Sequence, residues 1–142
     1  MVEVNGDTLI TRALRILDKK CLSRIVIVIG YEGHKLIEFV DKLSLHTPIC
    51  YVWNRKYETT NNIYSLALAN EYLQREDTLL LESDIIFEES VIDLLLEDPR
   101  PSLALVDKFE SWMDGSCMVL DENDCITSFI PSRYFNFKEK EN

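Results

Sequence analysis

Asp84 stands two residues after Glu82 at the end of Thr78-Leu79-Leu80-Leu81, an apolar run of strand length that resumes as Ile85-Ile86-Phe87. A carboxylate at the carboxyl end of a buried strand sits where ligands gather in open α/β sheets. It can hold a Mg²⁺ ion against a phosphate, because that hard cation takes oxygen ligands and keeps few protein carboxylates beside substrate oxygens. The same Asp also suits a plainer role, as the cap of the next helix. Thr59-Thr60-Asn61-Asn62 precedes the helical pattern Ile63-Tyr64-Ser65-Leu66-Ala67-Leu68. Backbone N–H groups and side-chain amides there can hold an anion or read the edge of a nucleotide base; ordinary helix capping is the alternative. In Phe109-Glu110-Ser111-Trp112-Met113-Asp114-Gly115 an aromatic ring lies among acids. That combination holds a quaternary ammonium by cation–π attraction, and packing is the competing use of a loop Trp. His34 and His46 have no acid or Cys partner in sequence reach and receive no role.

Composition narrows the ligands. The formal charge of −10 argues against nucleic-acid backbones and anionic membrane surfaces, which bind through clustered Lys and Arg. A phosphate ligand must then be small and held by metal, backbone N–H groups and a few local cations. Cys21, Cys50, Cys117 and Cys125 are scattered without a C-x-x-C pair, so neither a zinc site nor a disulfide framework is indicated. No run of about 18 apolar residues spans a bilayer, and Met1-Val2-Glu3-Val4 lacks the basic and apolar regions of a signal peptide; a cytoplasmic protein is expected.

The elements that must position these residues follow from periodicity. Val4-Asn5-Gly6-Asp7 reads as a turn, and Leu9, Ile10, Ala13, Leu14, Ile16 and Leu17 predict a helix over 8–20, capped by Asp7 or Thr8. Strands are predicted at 25–29, 49–53, 78–81 and 102–106, and helices at 33–42, 63–73 and 89–96. Asp121-Glu122-Asn123-Asp124 joins 116–120 to 125–129 as a hairpin. Strands alternating with helices over the first hundred residues predict an α/β domain over 1–130, with a mostly parallel sheet, helices on both faces and a late antiparallel hairpin. Residues 131–142 form a polar tail.

Taken together, Val4-Asn5-Gly6-Asp7-Thr8-Leu9-Ile10, Ile27-Val28-Ile29-Gly30-Tyr31, Tyr57-Glu58-Thr59-Thr60-Asn61-Asn62-Ile63-Tyr64-Ser65-Leu66, Leu80-Leu81-Glu82-Ser83-Asp84-Ile85-Ile86-Phe87, and Val106-Asp107 with Asp114-Gly115 carry a resemblance. The chain resembles the nucleotidyltransferase family that activates sugar phosphates and phosphocholine. The T-N-N-x-Y-S-L stretch is similar to the bacterial choline-phosphate cytidylyltransferase branch in particular. The resemblance implies a Rossmann-like nucleotide-diphospho-sugar transferase sheet, with Asp84 as the Mg²⁺ ligand and catalytic residue. It implies that Thr60, Asn61, Asn62, Ser65 and Glu82 face the nucleotide and that Trp112 and Asp114 contact the choline-phosphate substrate. Expected partners are CTP or another nucleoside triphosphate and a phosphocholine-like phosphate, and the protein can be a homo-oligomer. The family's L-A-A-G-x-G-x-R-L strand and loop, its P-K-x-L segment and a carboxyl-terminal part with a second acidic metal ligand do not occur in these 142 residues, so an incomplete domain is expected. A non-catalytic binding or assembly module of the same fold is the alternative from another class. A sugar-phosphate nucleotidyltransferase, or a nucleotide-sugar glycosyltransferase with Glu82-Ser83-Asp84 as its acid-x-acid motif, is the alternative chemistry.

Overall fold

The computed structural model describes residues 2–110, 112–113 and 115–131. They belong to two compact units, Met1–Glu97 and Asp98–Asn142.

The first unit opens with a minimal hairpin, β1 (Glu3–Val4) against β2 (Asp7–Thr8), closed by Asn5 and Gly6 at φ 54° and 82°. Two consecutive positive φ angles fit the right-handed twist of the flanking strands, and Asn-Gly reaches them at little steric cost. Thr8 then caps α1 (Leu9–Leu17): its Oγ1 accepts the Thr11 N–H at 3.1 Å. Of the two expected caps it is Thr8 that acts. The apolar stripe of α1 puts Leu14, Ile16 and Leu17 into a core shared with Ile25, Val40 and Ile92. Ile25 begins β3 (Ile25–Ile29), Val40 lies on α2 (Gly33–Asp41), and Ile92 lies on α5 (Glu89–Glu97). β3 pairs in parallel with β4 (Ile49–Trp53), Ile25 opposite Ile49 through Ile29 opposite Trp53. The helix expected over 63–73 is present as two pieces, α3 (Asn62–Leu68) and α4 (Asn70–Leu73), meeting at buried Ala69.

Polar clamps fix these elements around the core. Lys20, its side chain only 10% exposed, reaches Glu89 at 2.9 Å and Asp93 at 2.5 Å, tying the end of α1 to α5; hydrogen bonds to these carboxylates raise its pKa. Asp18 accepts the backbone N–H groups of His46 and Thr47 at 2.8 and 2.7 Å and meets His46 Nδ1 at 3.0 Å. His46, given no role from sequence, thus helps hold the turn before β4 against the end of α1.

The second unit contains β5 (Cys117–Leu120) and β6 (Ile126–Ile130), antiparallel and irregular between Val119 and Leu120. Asp121 Oδ1 accepts from Asn123 and Cys125 N–H, both at 2.9 Å, which builds the connecting turn. The predicted hairpin is therefore present. The tail beyond Pro131 lies outside the described residues.

Of the mostly parallel sheet only one strand pair is present. Among the described residues there are three two-stranded sheets, and only β3–β4 is parallel. Thr78–Leu81, expected as the central strand, and Ser102–Val106, expected as another, are not strands. The reason is hydrogen bonding: a strand exists only beside a partner, and no described residue pairs with the backbone of either run. The hydrophobic pattern of the first survives without its ladder. Leu79 and Leu81 pack against the core while Leu80 is 63% exposed.

The Asp18 clamp has a pH signature. Thr47 N–H and the His46 ring lower its pKa from 3.8 to about 2, so its contribution to stability is present above about pH 4 and is lost as the pH falls toward 2. Urea unfolding of the wild-type protein across that window is expected to lose stability, and Asp18→Asn to flatten that part of the profile. A variant profile superimposable on the wild type contradicts the clamp. Asp98, lowered to about 2 by Arg100, adds its own acid sensitivity to the second unit and is unaffected by this substitution.

Candidate functional site

The carboxyl ends of β3 and β4 carry the most organised polar structure in the first unit. Asn54 follows β4, and its N–H donates to the Ile29 carbonyl at 2.8 Å, extending the parallel ladder by one bond. Its side chain is buried, the residue being 3% exposed. Oδ1 accepts the Lys56 N–H at 2.9 Å, and Nδ2 donates to Thr60 Oγ1 at 3.0 Å and to Ser65 Oγ at 3.1 Å. Thr60 in turn donates to the Lys56 carbonyl at 2.8 Å, which also accepts the Thr59 N–H at 3.0 Å. One residue thus closes the polar loop over 54–60 and joins it to α3. In sequence Asn54 is only the first residue of the polar segment that leads to α3. Its only signal was its place, the first polar residue after an apolar strand.

Asn61 is the cap of α3, its Oδ1 accepting the Tyr64 N–H at 3.2 Å. The capping alternative therefore describes its carbonyl oxygen, while its amide N–H₂ makes no hydrogen bond among the described residues. Asn62 is exposed and its side chain is likewise unbonded among them. Tyr57 stands at the turn of the loop and packs edge-on against Tyr31, ring centroids 6.1 Å apart. Partial burial, then the adjacent Glu58 carboxylate, raise the pKa of its hydroxyl. Trp53 at the end of β4 meets the His34 ring at 4.6 Å and the Arg55 guanidinium at 5.7 Å.

Two glycines permit this proximity. A Cβ on Gly30 would lie 2.7 Å from Tyr57 Cβ, and one on Gly33 would lie 2.8 Å from Trp53 Cζ3.

Glu82 and Asp84 are exposed, Asp84 within a turn, and neither makes a hydrogen bond or ion pair among the described residues. No such contact joins them to the Thr60–Ser65 loop. Trp112 belongs to the second unit and is 78% exposed. Asp114 lies outside the described residues. Among those residues no group of three or more His, Cys, Asp or Glu is placed to hold a metal ion. All four cysteines are free, and among the described residues no helix is long and apolar enough to cross a membrane.

In sequence the chain is similar to nucleotidyltransferases, and to cytidylyltransferases among them, as its motifs imply. It is 27% identical over 133 residues to the CMP-5'-(3-aminopropyl)phosphonate synthase of Streptomyces rubellomurinus, covering 94% of this chain and 21% of that protein. It is 29% identical over 91 residues to the choline-phosphate cytidylyltransferase of Haemophilus influenzae, 64% of this chain and 36% of the relative. To the choline-phosphate cytidylyltransferase of Streptococcus pneumoniae it is 34% identical over 88 residues, 58% of this chain and 37% of the relative. The chain thus spans between a fifth and two-fifths of the length of these relatives. No protein-family model matches it, and no solved structure gives a significant match.

The tight approach of Gly30 to Tyr57 yields a direct check. Gly30→Ala places a methyl against a β-carbon that cannot swing aside, so the loop must shift, at a cost of about 1–3 kcal/mol. Urea unfolding measures it, and an unchanged midpoint contradicts the packing of the loop on the end of β3.

Proposed function

We propose that this chain is part of a nucleotidyltransferase that couples CTP to phosphocholine or a similar aminoalkyl phosphate or phosphonate, giving the CMP conjugate and pyrophosphate. The observation that carries the reading is the set of relatives: they are named for cytidylyl transfer to aminoalkyl acceptors, and one of them matches over nearly the whole chain. The Asn54-organised loop supports it, because a loop held from within leaves the Asn61 Nδ2 group and the Asn62 side chain without a hydrogen bond among the described residues.

In this reaction an acceptor phosphate or phosphonate oxygen attacks the α-phosphorus of CTP, the bond from that phosphorus to the bridging oxygen breaks, and pyrophosphate leaves. The nucleophile is already anionic, so no general base is needed and positioning with charge neutralisation carries the rate. Asp84 fits Mg²⁺: it offers oxygen donors, is exposed, and has no competing hydrogen bond among the described residues. When bound, the ion neutralises charge on the α-phosphate and the leaving pyrophosphate. In this reading Asp84 would hold the ion, Thr60, Asn61, Asn62, Ser65 and Glu82 would face the nucleotide, and Trp112 with Asp114 would receive the aminoalkyl end. The β3–β4 pair belongs, in this reading, to a larger parallel sheet in which the Thr78–Leu81 run is paired by a further strand.

The deciding experiment crosses nucleoside triphosphates with phosphocholine, phosphoethanolamine, 2-aminoethylphosphonate and sugar 1-phosphates in the full-length protein, with pyrophosphate release measured. CTP with an aminoalkyl acceptor is expected to dominate; preference for a sugar 1-phosphate overturns the acceptor assignment, and no release with any pair favours a binding module. Asp84→Asn is expected to lower turnover at least about a hundredfold with folding retained, since the amide keeps the shape and loses the charge. Near-normal turnover removes Asp84 from the site. Trp112→Ala is expected to weaken phosphocholine by about 1–2 kcal/mol relative to an acceptor without the trimethylammonium group, and equal losses on both return the ring to packing.

A further inference from the structure

We infer that Asn54 is the positioning residue of the nucleotide-facing loop: its buried amide sets the loop's conformation from below, so that nucleotide affinity depends on a side chain that does not touch the nucleotide. The inference rests on the proposed function for the identity of the ligand and on geometry for the rest. Asn54 is 3% exposed, yet each hydrogen-bonding group of its amide is used. Oδ1 takes the Lys56 N–H, and the two Nδ2 protons go to Thr60 Oγ1 and Ser65 Oγ, at 2.9, 3.0 and 3.1 Å. Its backbone N–H is bound to Ile29, so the amide is anchored to the one parallel ladder among the described residues rather than to the loop it organises. These bonds span the loop from its first turn to the second turn of α3. They bracket Asn61 and Asn62 from both sides without engaging either side chain.

A buried amide with every group paired is costly to remove, since the partners left behind are themselves desolvated. Here those partners are the Lys56 N–H and two hydroxyls that fix where the loop turns. Losing them frees the loop while the core residues on α1, β3 and α5 keep their contacts.

The test uses the full-length protein with Asn54→Ala and with Asn54→Ser, the second keeping a polar group at the buried position and serving where Asn54→Ala does not fold; the nucleotide-facing residues are left as they are. Two readouts are taken: amide hydrogen exchange over residues 55–65 against 9–17, and KM for CTP against kcat and acceptor KM. The expected result is loop exchange faster by about tenfold with α1 unchanged, as local opening requires. KM for CTP is expected to rise by about tenfold with kcat and acceptor KM within about twofold, the mark of lost nucleotide binding rather than lost chemistry. Exchange that rises equally in α1 and the loop, with KM for CTP unchanged, overturns the inference and leaves Asn54 as a stability residue only. A wild-type protein that turns over no nucleoside triphosphate defeats the proposed function instead; a wild type with measurable CTP turnover and an Asn54→Ala variant of equal KM defeats the Asn54 assignment alone.

Discussion

The parallel pairing of β3 with β4 is the constraint on which the first unit depends. Parallel strands need a crossover between them, and α2 supplies it; the crossover brings both carboxyl ends to the same side, so that Gly30 and Asn54 become neighbours although 24 positions separate them in sequence. The bond from Asn54 N–H to the Ile29 carbonyl carries that register one residue past the ladder. From there the order is local: the amide fixes Lys56, Thr60 and Ser65, Gly30 admits Tyr57, and Gly33 admits Trp53.

Around the pair, apolar burial and polar clamps divide the work. Leu14, Ile16 and Leu17 of α1 meet Ile92 of α5 in the core, a non-directional attraction that accepts more than one angle of approach. Direction comes from Lys20, nearly buried and shared between Glu89 and Asp93, and from Asp18, whose carboxylate gathers two backbone N–H groups ahead of β4. Removing one partner of such a cluster costs more than the pair contributes, because the remaining charge stays partly desolvated.

The sequence made some of this legible and hid the rest for physical reasons. α1 and α2 followed from their periodicity, the two paired strands from their apolar, β-branched runs, and the Asn5-Gly6 turn from its residue types. The hairpin of β5 and β6 followed from the acidic turn whose Asp121 indeed caps it. The residues of Thr78–Leu81 suit a strand, but composition records burial and not pairing; the backbone of that run has no partner among the described residues. In the site, the capping and binding uses of Asn61 were indistinguishable from sequence, since both place an amide at a helix start. Asn54 was invisible because a buried Asn differs from a loop Asn only by the partners that tertiary structure brings to it. Its importance is a long-range property of a short-range residue.

If the account is right, nucleotide meets this protein at the loop that Asn54 holds, over the ends of β3 and β4. The most direct measurement is a titration of CTP with Mg²⁺ into the isotopically labelled full-length protein, followed by backbone amide resonances. The account predicts saturable shifts concentrated at residues 59–65 and around Asp84, with α1 unmoved. Saturable binding with shifts elsewhere and none at Thr60, Asn61 or Asn62 would contradict it.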